Sequence, residues 1–202
     1  MTESSVPVDL AWLRRSFAQP DAPRDTIHGD HGTRPDATEL TPASVLVPIV
    51  LREAEPTVLF TRRTAHLRSH SGQISFPGGR AEAGDAGPEH TALRETREEI
   101  GLAAECIELL GCLGDYHTRT GYRITPVVGL VTPPFELNPH RGEVDEVFEA
   151  PLAFMLDPAN HQRHSREFQG KTRHFFAIPW REYYIWGATA GMLVNLQRRL
   201  SR

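Results

Sequence analysis

Cysteine is scarce: 2 of 202 residues, Cys106 and Cys112. Their number and spacing exclude a disulfide framework and a Cys-x-x-Cys zinc site, and both fall in an apolar run where a reduced core residue is expected. No run of about 18 apolar residues occurs, so no membrane-spanning helix is expected. The start, Met1-Thr2-Glu3-Ser4-Ser5, lacks the basic opening and apolar core of a signal peptide, which leads to the expectation of a cytoplasmic protein. Positive charge is also short. Lys and Arg number 22 against 26 Asp and Glu, a net charge of −4, whereas broad nucleic-acid binding would want a basic face. Internal repeats and low-complexity tracts are missing too. What remains, 39% hydrophobic and 24% charged, is the balance of an ordinary globular chain. Its length suits one domain with at most a small appended element.

Along the chain, Val6, Leu10, Leu13 and Phe17 recur at helical spacing and predict a short helix, with Pro7 at or before its first turn. Residues 19–40, rich in Pro, Asp, Gly and Thr, read as a flexible linker. The expected division is therefore 1–40, a short helix and linker, and 41–202, the main domain. Residues 44–51 (SVLVPIVL) and 57–61 (TVLFT) predict a strand pair across a polar turn, with Pro48 at a bulge or edge. Residues 106–113 and 122–131 predict two further strands around a polar loop. In and beside that loop, His117, Arg119, Tyr122 and Arg123 are either contacts for a base or ribose or a plain surface hairpin. Residues 138–150 (NPHRGEVDEVFEA) read chiefly as solvated charge. A short helix at 151–156, a hairpin about Gly170 and an amphipathic helix over 188–200 complete the chain. That last helix turns Met192, Leu193, Leu196 and Leu200 inward. Trp180, Tyr183, Tyr184 and Trp186 just before it read as core or interface aromatics. Strands alternating with helices around a mixed sheet make the fold class α/β.

The stretch 78–102 organises the rest. It reads as a glycine-rich loop feeding a helix, with Pro88 at a first helical position and Gly101 as the C-terminal stop. Leu93, Thr96 and Ile100 share one side of that helix. Glu95, Glu98 and Glu99, at i, i+3 and i+4, are expected to project together from the other. Each like-charged pair opposes the helix by roughly 0.2–0.5 kcal/mol. A hard divalent cation taking oxygen ligands would compensate; a solvated face with Arg94 and Arg97 as partners is the alternative. Just upstream, Arg62, Arg63, His66, Arg68 and His70 make a basic stretch. Alone it is compatible with plain surface, but beside a candidate carboxylate–metal helix it reads as a phosphate grip. Arginine forks match phosphate oxygens in pairs, and imidazoles can donate to them.

Gly79, Asp85, Arg94, Glu95, Glu98, Glu99, Gly101 and Leu102 occupy slots of a pattern that resembles the Nudix box. In general form the box is a glycine, five residues, a glutamate, seven residues, then Arg-Glu-hydrophobic-any-Glu-Glu-any-Gly-hydrophobic. This chain departs from it with Asp85 in the glutamate slot, one extra residue before Arg94, and Thr96 in an apolar slot. Residues 59–79 are similar to the signature of the coenzyme A pyrophosphatase branch of that family. Arg63, Arg68 and His70 fill its basic slots, and Phe76-Pro77-Gly78-Gly79 closes it. The branch also carries an aspartate and an extra residue inside the box. The likeness is dense over 59–102 and thin beyond.

The resemblance implies an α/β/α sandwich with a mixed β-sheet between helices. It also implies a Mg2+- or Mn2+-dependent diphosphatase acting on a small-molecule nucleotide, with no nucleic acid or membrane as partner and a homodimer left open. Glu95 and Glu99, one turn apart, are the first-choice metal ligands, with the Gly79 carbonyl beside them. Glu98 is a third ligand or the general base, and Arg94 orients glutamates. Glu143 or Glu146 would supply a further carboxylate from a downstream loop, with Glu146 taken as the catalytic candidate. Arg63, Arg68, His70 and Gly78 would bind substrate, implied to be coenzyme A or an acyl derivative cleaved to 3′,5′-ADP and 4′-phosphopantetheine. The box alone fits NADH, ADP-ribose or dinucleoside polyphosphates equally well. A non-catalytic nucleotide-sensing domain is the rival outside the enzyme class, and such domains typically lose the acidic residues retained here.

Overall fold

The computed structural model describes residues 10–18, 27–28, 40–65, 71–118, 120–168 and 171–201. In chain order the helices are α1 (Leu10–Phe17), α2 (Pro88–Ile100), α3 (Leu152–Leu156) and α4 (Ala188–Leu200). The first six strands are β1 (Ile27–His28), β2 (Thr41–Val50), β3 (Thr57–Arg63), β4 (Ile74–Ser75), β5 (Gly78–Arg80) and β6 (Ile107–Cys112). The remaining six are β7 (Tyr116–His117), β8 (Tyr122–Val131), β9 (Val144–Pro151), β10 (Gln162–Phe168), β11 (Lys171–Trp180) and β12 (Tyr183–Trp186). Among the described residues, β1 to β9 form one mixed sheet and β10 to β12 a small antiparallel one.

The spine of the large sheet is the parallel pair β2–β8, in register from Thr41↔Tyr122 to Val50↔Val131. Both strands are covered on both faces, so their sequences are near-continuous apolar runs rather than alternating ones. Leu46, Val50, Val127 and Val131 face α2, while Val47, Ile49, Val128 and Leu130 face the opposite layer. That second layer holds α1, α3, α4 and the three-stranded sheet, and its core includes Leu13, Phe60, Phe76, Ile178, Leu193 and Leu196. The result is the α/β/α sandwich expected, with Met192, Leu193, Leu196 and Leu200 of α4 buried.

Several local expectations change. Pro48 is not at the sheet's edge; it pairs with Gly129 in the central ladder. The Leu46 N–H donates to Pro77 O on the other side of β2, so the nitrogen of Pro48, two residues on, faces that side too. There it falls between β5, paired at Ala43 to Val45, and β3, paired at Ile49 and Val50. No ladder bond is lost.

Within residues 1–40, Leu13 is fully buried in the main core and Arg14 sets its fork on Glu108 at 2.9 and 2.7 Å. Ile27 and His28 pair with Tyr116 and His117. The charge-rich stretch before Pro151 is largely a strand, β9 against β3. Its acids are matched by Arg62 on Asp145 and Glu146 and by Arg52 on Glu149.

Candidate active site

Helix α2 begins at Pro88 and ends at Gly101, whose φ of 73° is the left-handed cap that glycine takes without strain. Its buried stripe is Ala92, Thr96, Glu99 and Ile100, at i, i+4, i+7 and i+8, together with Thr91. Glu99 therefore belongs to the inner face, contrary to the expectation that the three glutamates project together. The side chains of Glu99, Glu95 and Glu98 are 9%, 17% and 58% exposed, a graded fan from core to solvent.

The innermost carboxylate meets the glycine strand. Gly78 N–H donates to Glu99 Oε2 at 3.2 Å. Arg63, at a register shift between β3 and β9, brings Nη1 to 3.8 Å from Glu99 Oε1. Burial pushes the Glu99 carboxyl up to about 7, against the Gly78 hydrogen bond and the Arg63 charge, which lower it. Burial also raises Glu95, with Arg94 opposing and Glu98 and Glu143 adding like charge. Gly79 packs against Glu95: a β-carbon there would stand 2.5 Å from Glu95 Cδ and 2.6 Å from each carboxylate oxygen. That close approach is a second reason for glycine at 79.

Arg94 and Asp85 brace the outer end. Arg94 Nε and Nη2 donate to the two oxygens of Asp85 at 3.1 and 3.0 Å, and Nη2 also donates to Arg80 O. Nη1 reaches Glu95 Oε1 at 3.0 Å and Glu98 Oε2 at 3.1 Å. The bidentate fork falls on Asp85, while the glutamates share the third nitrogen. Asp85 also accepts from Glu82 N–H and Thr91 Oγ1, and His90 Nδ1 lies 2.8 Å away. The Arg94 guanidinium, first among these donors, holds the Asp85 carboxyl far below the usual carboxylate range. Aspartate for glutamate, set one residue further from Arg94, keeps this brace intact.

Of the downstream carboxylates, Glu146 lies elsewhere. Successive side chains of a strand point to opposite faces. Arg63 points to the α2 face, whereas Arg62 and its cross-strand partner Glu146 point to the other. There Glu146 accepts from Tyr183 Oη at 2.7 Å and pairs with Arg62 at 3.0 Å. Tyr183, stacked on Phe148 with ring centroids 3.7 Å apart, is held above its ordinary pKa mainly by that bond. The carboxylate whose charge bears on both Glu95 and Glu99 is Glu143. It sits in the turn before β9, where its carbonyl accepts from Thr64 N–H. Arg68 and His70 lie outside the described residues.

Among the described residues, no three His, Cys, Asp or Glu side chains stand close enough to hold a metal ion as they are. Arg94 keeps Glu98 outward, away from buried Glu99. The donor chemistry nonetheless fits a hard divalent cation: oxygen ligands only, two of them largely buried, beside a glycine backbone that lets the Glu95 carboxylate approach closely. Sequence reasoning missed the Asp85–His90–Thr91 brace, whose signal is the acidic slot at 85. It names both Glu143 and Glu146 and takes Glu146 as the catalytic candidate; only the fold separates the two.

A carboxylate-bearing helix entered from a glycine strand thus lies on one face of an α/β/α sandwich. Residues 40–169 match the family model of the NUDIX domain. A Nudix hydrolase NudL of Escherichia coli O139:H28 is 38% identical over 196 residues, covering 97% of this chain and 96% of its own. A NudL of Enterobacter sp. (strain 638) is 36% identical over 154 residues, covering 76% of this chain and 80% of its own. Among solved structures, the Nudix hydrolase RenU of M. smegmatis aligns over 55% of this chain and 71% of its own, at 22% identity and a TM-score of 0.48, too slight a likeness to bear on substrate. The chain belongs to the Nudix family and is a hydrolase of diphosphate bonds. No helix among the described residues is long and apolar enough to cross a membrane.

Proposed function

We propose that this Nudix hydrolase cleaves the diphosphate of coenzyme A or an acyl-coenzyme A, giving 3′,5′-ADP and (acyl-)4′-phosphopantetheine. The observation that supports the substrate is Arg63. It fills the first basic slot of the 59–79 signature, and it lies 3.8 Å from Glu99 on the α2 face of the sheet. Glu95 and Glu99 would hold Mg2+ or Mn2+, with Glu98 and the Gly79 carbonyl as further donors. When bound, the cation neutralises phosphate charge and lowers the pKa of water.

The chain's own groups do the rest. Glu98, the most exposed of the three, accepts a proton from the attacking water. Water oxygen joins one phosphorus, the bridging P–O bond breaks, and the leaving phosphate departs with its electron pair. Arg94, pinned by Asp85, fixes the direction of Glu95 and Glu98 and acts as a positioning residue. Arg63 meets the phosphate charge, and Arg68 and His70 of the same signature are assigned to the remaining phosphates or the pantetheine entrance.

The test is Mg2+- and Mn2+-dependent turnover on coenzyme A, acetyl-coenzyme A, NADH, ADP-ribose and a diadenosine polyphosphate, with products identified by mass. Release of 3′,5′-ADP chiefly from the coenzyme A compounds is expected. Preference for another member would overturn the substrate and keep the diphosphatase.

A further inference from the structure

The two arginines beside the glutamates are held in opposite ways. Arg94 makes five hydrogen bonds, to Asp85, Arg80, Glu95 and Glu98, and has no freedom to turn. Arg63 is the reverse. Its Nη1 stands 3.8 Å from Glu99 Oε1, beyond hydrogen-bond reach, and its buried Nε has no partner among the described residues. Its side chain is 28% exposed, so one end is sunk beside Glu99 and the other meets solvent. A buried guanidinium N–H left unpaired is unfavourable and seeks an acceptor. Glu99 supplies charge without the planar, paired geometry that a guanidinium takes with phosphate oxygens. The register shift beside Arg63 is the kind of irregularity that re-aims a side chain at a strand end.

We propose that Arg63 serves two anions in turn, neutralising Glu99 while the carboxylates hold no cation and swinging to a substrate phosphate once a cation sits among them. This rests on the metal-dependent reading above. A cation and a guanidinium compete for the same carboxylate charge, so Arg63 weakens cation binding in the absence of substrate and strengthens substrate binding in its presence. Binding then becomes ordered. With a cation bound among the carboxylates, Arg63 would leave Glu99 and its released fork would complete the phosphate site.

The experiment is Mn2+ titration of the full chain, without substrate, followed by electron paramagnetic resonance at pH 8. The wild type is compared with Arg63→Met, which keeps the aliphatic stem, and Arg63→Lys, which keeps the charge. Arg63→Met is expected to bind Mn2+ about three- to tenfold tighter, the effect of removing one cation near the site. Its KM for the turned-over diphosphate is expected to rise at least tenfold. Arg63→Lys is expected to bind Mn2+ as the wild type does, and it carries the comparison if Arg63→Met does not fold. Unchanged Mn2+ affinity in Arg63→Met would make Arg63 a substrate contact only, and weaker affinity would make it an organiser of Glu99; either overturns the exchange. Tighter binding in Arg63→Lys would also overturn it. A wild type that binds no Mn2+ would overturn the metal-dependent reading itself.

Discussion

Gly79 lies against the carboxylate of Glu95 so closely that a β-carbon at 79 would meet Cδ and both oxygens within 2.6 Å. The atoms in its way are the far end of a flexible side chain, so the fold can yield there at little cost. Glu95 would swing out and break its bond to Arg94. Gly79→Ala is therefore expected to shift Tm by only a few degrees, about 1 kcal/mol or less, while metal-dependent kcat falls about 100-fold. Calorimetry beside steady-state kinetics checks the pair. A large loss of Tm would mean that β5, rather than Glu95, gives way.

Asp85→Asn removes the charged acceptor that fixes the Arg94 fork. A lower Tm at pH 7 and a drop in kcat with little change in KM are expected, because Arg94 positions glutamates and does not touch substrate. The pH dependence has a definite sign. Asp85 is held far below the unfolded carboxylate value, which is about 3.9. Its stabilisation is thus present above that value and is lost as pH falls toward the folded one. The Tm gap between wild type and Asp85→Asn should be constant from pH 8 to 5 and narrow at pH 3. A gap that persists undiminished at pH 3 would show that shape, not charge, is what Asp85 supplies.

Much of this arrangement was legible in the residues because it is local. Pro88 and Gly101 bound α2 as their backbone preferences require, and the apolar runs of β2, β3, β6 and β8 lie where expected. Glu99 was misread because three glutamates look alike in a helical projection, and only the sheet beneath α2 makes one of them inner. Strand β9 was obscured by Asp145, Glu146 and Glu149, whose charges are matched by Arg62 and Arg52 from segments more than 80 positions away. Which face Glu146 occupies depends on that same long-range pairing. Propensity speaks for neighbours in the chain, and such partners are not neighbours.

Glu99 carries a consequence for stability. Its folded pKa of about 7 lies above the ordinary glutamate value because burial disfavours the charge. The folded chain therefore holds this proton more tightly. Its stability falls as pH rises from the unfolded value to about 7, and the full penalty is present at pH 8. Glu99→Gln, which keeps an acceptor for Gly78 N–H, is expected to raise the stability of the metal-free protein at pH 8 by roughly 1–3 kcal/mol. It should also abolish the rise in Tm that Mg2+ or Mn2+ gives the wild type. Thermal melts with and without the cation, after chelator treatment, measure both effects. A destabilised Glu99→Gln would mean that Arg63 compensates the buried charge in full.

The two downstream glutamates differ in which charges they bear on. Glu143 bears electrostatically on Glu95 and Glu99, whereas Glu146 is engaged by Tyr183 and Arg62 across the sheet. Glu143→Gln is accordingly expected to reduce kcat at least tenfold and to weaken Mn2+ binding, since a carboxylate charge felt by Glu95 and Glu99 is lost. Glu146→Gln retains an acceptor for the Tyr183 hydroxyl and leaves the α2 face untouched, so kcat should stay within about twofold of the wild type. Its effect should appear instead as a modest fall in Tm, of the size of a part-exposed ion pair, about 0.5–1 kcal/mol. Kinetics and melting curves on both variants decide the matter. A Glu146→Gln enzyme that loses activity while Glu143→Gln keeps it would require the sheet to transmit what its geometry separates, and would return the catalytic assignment to Glu146.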